Sequence, residues 1–221
     1  MPSTSARQRT FTPPLIVALV ALLALAAVTI WVVLRDDGTV DAGESGAGNV
    51  AASADASASA EDPDPEPAGT PVDSSDGKFA TTVPDGYADG KGVVTQLEGM
   101  VLSLYDTTTE DDAMPTHIIV ASADDDGTKI NDAVSQIQSG FEDQYDTSTE
   151  ASDIDIAEID GEPTEGWQSG DYKDGSTDVN STQFAVVHDG KYYFFTVNSL
   201  PEHAEAARAA LEHIMANTTW S

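Results

Sequence analysis

The chain has no cysteine. That excludes disulfides, thiolate metal sites and a lipid-modified cysteine. Cations are scarce too: 9 Lys and Arg stand against 39 Asp and Glu, for a formal net charge of -30 over 221 residues. The imbalance is spread along the chain, with +3 on residues 1–35, -11 on 36–77 and -22 on 78–221. Phosphate binding needs Lys and Arg, so nucleic acid is excluded as a partner. Adhesion to an anionic membrane surface is excluded on the same ground. Solubility, and repulsion from a similarly charged envelope, is the plain reading of so much carboxylate.

One stretch lacks charge, Pro and Gly altogether: Leu15 to Leu34, LIVALVALLALAAVTIWVVL. Its 20 residues match the length needed to cross about 30 Å of hydrocarbon as a helix. Arg7 and Arg9 before it set a cytoplasmic N-terminus, with everything beyond Leu34 exported. A cleaved signal peptide is the rival reading, and Ala24-Leu25-Ala26 offers a small-x-small site. The apolar run exceeds the usual h-region of about 7–15 residues, which favours an uncleaved single-pass anchor. The expected divisions are a cytoplasmic tail over 1–14, a transmembrane anchor over 15–35, a linker over 36–76 and an extracytoplasmic domain over 77–221.

The linker, Asp36 to Asp76, has three Val and no Leu, Ile or aromatic residue. It cannot bury enough apolar surface to offset its ordering entropy, so disorder is expected. As a coil of about 40 residues it would reach roughly 35 Å.

Beyond Gly77 the pattern turns globular. Phe79, Thr81 and Val83 alternate as a strand that Pro84-Asp85-Gly86 stops. Met100 to Tyr105 and His117 to Ala121 read as further strands, with Asp106 to Asp112 a polar loop between them. Ile130, Ala133, Val134, Ile137 and Phe141 form one apolar helical stripe, with Asp126 or Thr128 as its cap. Ile154 to Ile159 alternates as one strand, and Thr164 to Tyr172 is a weaker candidate containing Trp167. Gln183–His188 and Lys191–Val197 flank Asp189-Gly190, a type I′ hairpin signal. Ser199 to Glu202 carries a capping-box pattern before a last helix whose buried face is Ala206, Ala210 or Leu211, Ile214 and Met215. Trp220 is expected to fold back on the sheet. The order gives an α+β domain, an antiparallel sheet with flanking helices.

Phe79 to Tyr87 resembles the F-x-x-x-x-P-x-G-W/Y opening of PsbP/Mog1-like domains. Ile159-Asp160-Gly161-Glu162-Pro163 is similar to their central strand and turn, and Asp189 to Thr196 plus the final helix to their closing hairpin and helix. The resemblance extends to actinobacterial envelope proteins of the LpqN/LpqT type. It implies an αβα sandwich used for binding rather than catalysis, and it carries over no site residue.

Chemistry-bearing patterns are few. His117, His188, His203 and His213 come without a His-x-x-x-His or Glu-x-x-His spacing, so zinc is not expected. There is no Gly-x-Ser-x-Gly elbow, P-loop or Gly-x-Gly-x-x-Gly. Asp124 and Asp126 before Gly127 are weak calcium candidates, because an EF-hand register would put Ala133 where the bidentate acid belongs. Tyr192 and Phe194 alternate with Tyr193 and Phe195 on the last strand. Core packing is the plain reading of these four and of Trp167; an apolar ligand groove beside the hairpin is the alternative. The expectation is therefore a non-catalytic module, anchored in the bacterial cell membrane through Leu15–Leu34, that uses no cofactor and binds an envelope protein, glycan or lipid. The alternative is a carrier of a lipid or small apolar ligand.

Overall fold

The computed structural model describes residues 69–145, 152–154 and 158–221. The anchor expected at Leu15–Leu34 and the linker up to residue 68 lie outside the described residues. Among the described residues no helix is long and apolar enough to cross a membrane.

Every strand pairing is antiparallel among those described. A small sheet has the order β1 (Thr70–Asp73), β2 (Phe79–Val83) and β11 (Thr219–Trp220). The large sheet runs from β3 (Tyr87–Asp89) and β4 (Met100–Asp106) to β5 (His117–Asp124), then β10 (Lys191–Ser199), β9 (Thr177–His188), β8 (Glu162–Asp174) and β6 (Ser152–Ile154). β7 (Glu158–Ile159) pairs with β8 beside β6. Two helices, α1 (Ile130–Gln144) and α2 (Ala204–Ala216), complete the domain.

The large sheet is covered on both faces. On one, Ala133, Val134, Ile137 and Phe141 of α1 pack with Trp167, Tyr172, Val179, Ala185, Tyr192 and Phe194. On the other, Ala207, Leu211, Ile214 and Met215 of α2 join Phe79 of the small sheet against Phe184, Val186, Tyr193, Phe195 and Val197. Alternation along β9 and β10 sends successive side chains to opposite cores, so Phe184–Val187 of β9 and Tyr192–Phe195 of β10 read as unbroken apolar or aromatic runs. Fully burying one such side chain is worth about 1.5–3 kcal/mol, which makes this hairpin the energetic centre of the fold. Its turn has φ +46° at Asp189 and +72° at Gly190, the two positive angles of a type I′ turn.

Gly166 in β8 lies opposite Phe184 of β9. A Cβ there would meet two Phe184 ring carbons at 2.3 Å and the Ile154 carbonyl oxygen at 3.0 Å. Gly166→Ala should therefore destabilise the domain by about 1–3 kcal/mol through overpacking. An unchanged denaturant midpoint would contradict that packing.

The structure departs from the sequence expectations at several places. Among the described residues, regular structure already includes β1, which precedes Gly77. Val72 packs against the apolar cluster, and the buried Ser74 hydroxyl accepts from the Lys78 and Phe79 amides while donating to Asp76. Polar side chains thus close a turn that composition alone assigns to the linker. The run Ile154–Ile159 is two strands, β6 and β7, with residues 155–157 outside the described set. Lys129, with no side-chain bond, is the N-cap of α1, while the Asp126 carboxylate accepts from the Thr128 amide of its own turn. Ser199 caps no helix: it ends β10 opposite Asn180, and Pro201–His203 forms a 3-10 turn before α2. The buried stripe of α2 includes Ala207 where Ala206 was expected, and Leu211 rather than Ala210. Trp220 does fold back, edge-on to Phe79 with ring centroids 5.7 Å apart.

Candidate binding cleft

The aromatic ligand candidates are interior residues. Trp167, Tyr192 and Phe194 are buried under α1, and Tyr193 and Phe195 under α2 and the small sheet. Trp167 Nε1 donates to Gln183 Oε1 at 3.1 Å. The Tyr192 hydroxyl donates to the Thr128 carbonyl, and the Tyr193 hydroxyl donates to Asp76 at 3.3 Å. Burial, and then Asp125 beside Tyr192 and Asp76 beside Tyr193, pushes both phenols above their usual range. These side chains fill the place beside the hairpin where a groove was anticipated.

The calcium candidates are likewise occupied. Asp124 pairs with Lys191 Nζ at 2.9 Å, and Asp126 is turned to Thr128. Among the described residues no group of three or more His, Asp or Glu side chains is arranged to hold a metal.

The histidines lie apart, each with its own partner. His188 stacks on Trp220 at 4.4 Å with its Nδ1 3.3 Å from Glu162, His203 meets Asp112 at 3.0 Å, and His213 meets Thr82 at 3.2 Å. His117 is buried at the end of a polar row that crosses four strands. Tyr172 donates to Ser181 at 3.0 Å, Ser181 donates to Asn198 Oδ1, and Asn198 Nδ2 donates to His117 Nε2 at 3.2 Å. His117 Nδ1–H completes the row by donating to the Pro115 carbonyl at 2.9 Å. Every donor in this chain points the same way, which fixes the neutral Nδ1–H tautomer.

Burial holds the His117 pKa below its usual value, despite the Pro115 carbonyl acting in the opposite direction. The unfolded chain then binds a proton near pH 6.5 that the folded chain refuses, so stability falls as pH drops below that value. The slope should approach 1.4 kcal/mol per pH unit, or about that. Urea midpoints between pH 7 and 5 check this: the wild type should lose stability, and His117→Gln should lack that component. Equal slopes in both proteins would contradict it.

The cavity with an apolar floor lies where the two sheets part. Its volume is about 460 Å³, lined by β1, β3, β4 and their flanks. Val72, Val83, Leu102 and Leu104 supply apolar surface, while Thr70, Asp73, Asp89 and Lys91 stand exposed around it. Ser103 also lines it, and its buried hydroxyl has no hydrogen-bond partner. That size and mixture are typical of ligand pockets. A second cavity, about 580 Å³ beside Asp171, Asp178 and Glu202, is more polar in its lining and is bounded by the β8–β9 turn and Pro201.

Sequence reasoning missed the cleft because half of one wall, Thr70–Asp73, has linker composition. The alternation of Leu102 and Leu104 was visible, but nothing local shows that the small sheet stops short of covering them.

No family model and no curated protein sequence matches the chain. Solved structures do. LpqN of Mycobacterium tuberculosis, described as involved in cell envelope biogenesis, superposes with a TM-score of 0.51 at 15% identity, covering 69% of this chain and 90% of that one. The domain has the PsbP/Mog1-like fold. Cyanobacterial PsbP from Synechocystis gives 0.46 at 12% identity over 68% of this chain and 91% of its own. The Ran-binding protein Mog1p of Saccharomyces cerevisiae gives 0.48 at 13% over 67% and 93%. All three likenesses span about two thirds of this chain, 67–69%. The resemblance seen in Phe79–Tyr87, Ile159–Pro163 and the closing hairpin thus extends to the whole architecture.

Proposed function

We propose that this chain is a non-catalytic accessory module of the bacterial cell envelope, anchored by Leu15–Leu34, and that the cleft between β1 and β3–β4 is its binding site. The cleft carries the reading: it joins an apolar floor to a polar rim, and most of its lining belongs to strands β1 to β4. Sites on strands hold their geometry without an ordering cost on binding. The fold of LpqN, a protein described as involved in cell envelope biogenesis, supports an envelope setting, as does the charge-free segment followed by an acidic linker. The ties of His117 and His188 to structural partners favour binding over catalysis.

Val72→Trp tests this. Val72 is half-buried in the cleft wall, so an indole there fills the space while most of β1 keeps its register. The full chain in lipid nanodiscs should retain a component of an envelope extract, and the variant should lose it at a near-unchanged melting temperature. Retention unaffected by the substitution would overturn the assignment of the cleft.

A further inference from the structure

We infer that the occupant of this cleft is an extended, basic peptide segment that adds a strand along β1, a proposal that rests on the cleft being the binding site. β1 ends the small sheet and β3 ends the large one, so both are edge strands, and both line the same cavity. The outer main-chain groups of an edge strand are a template for another extended chain. An acyl chain or a sugar ring satisfies few of those donors and acceptors; a peptide backbone satisfies them in register. The four residues of β1 span about 13 Å, enough to seat a peptide of about four residues.

The side chains set the peptide's character. Alternate residues of an added strand face the sheet, and here they would meet Val72, Leu102 and Leu104. The other residues face the rim, where Asp73 and Asp89 stand against Lys91 alone. The wider field has the same sign, since the chain carries -30 overall. Charge complementarity then selects Lys or Arg between apolar residues, and it speeds encounter.

Isothermal titration of the full chain in nanodiscs, with synthetic hexapeptides as probes, tests the inference. Lys-Val-Lys-Val-Lys-Val should bind saturably. Lys-Gly-Lys-Gly-Lys-Gly, with the same charge and no apolar residues, should bind at least about tenfold more weakly, as should the form N-methylated at alternate residues. The exposed pair Asp73→Lys and Asp89→Lys should weaken Lys-Val binding by about tenfold or more. Equal binding of Glu-Val-Glu-Val-Glu-Val, or no loss on N-methylation, would overturn the proposal. So would tight binding of dodecyl maltoside in the cleft with no binding of any peptide, or concentration-dependent dimers that the Asp73→Lys variant abolishes. If every peptide fails while Val72→Trp still loses the envelope component, the peptide inference falls and the binding cleft stands. If Val72→Trp loses nothing, both fall.

Discussion

Trp167→Ala should lower the unfolding free energy by about 3–5 kcal/mol, the range for removing a large buried aromatic. Trp167 is 1% exposed, its ring centroid lies 5.1 Å from that of Phe141, and its indole N–H is taken by Gln183. Truncation would open a cavity between β8 and α1 and leave the Gln183 oxygen without its donor. Gln183 also donates to Thr196 at 2.9 Å, so the damage extends into β10. Urea unfolding followed by far-UV circular dichroism measures the change. A ligand-contact role would instead leave stability within about 0.5 kcal/mol, the usual range for a surface substitution. That outcome would remove Trp167 from the core and restore it as a site residue.

Asn198→Ala should cost about 2–4 kcal/mol. The amide is fully buried and bridges two groups, taking the Ser181 hydroxyl proton and donating to His117 Nε2. Alanine leaves a buried donor and a buried acceptor without partners, each at a desolvation penalty of about 1–3 kcal/mol. It also frees His117 Nε2 to take a proton, which the Asn198 N–H otherwise opposes. The variant should therefore unfold at lower urea and show a higher His117 pKa by NMR titration. A loss under about 1 kcal/mol would mean that the row contributes little to the fold.

The hairpin and the helical stripe were legible in the sequence because their signals are local. Asp189-Gly190 dictates its own turn, and Ile130 to Phe141 repeats at helical spacing regardless of what packs on it. The fold followed from the order of those elements. Where side chains act through distant partners, the sequence was silent. Ser74 reads as linker until Phe79 is placed beside it, and Ser199 reads as a helix cap until Asn180 pairs with it. His117 gives no hint of Asn198, 81 positions away. The burial of the aromatic candidates was hidden for the same reason. Tyr192 to Phe195 are the most conspicuous residues in the chain, and the sheet buries them because helices and a second sheet cover both its faces. The cleft arises instead where cover ends, at two sheet edges whose sequences, Thr70–Asp73 and Tyr87–Asp89, carry no motif.

Site-directed photocrosslinking in the native envelope tests the binding cleft most directly. Benzoylphenylalanine placed at Thr70, exposed at the cleft rim, should give one discrete adduct that Val72→Trp abolishes. The same group at Asp143, exposed on α1, should give none. Equal adducts at both positions, or an adduct at Asp143 alone, would place the binding surface elsewhere and contradict the account.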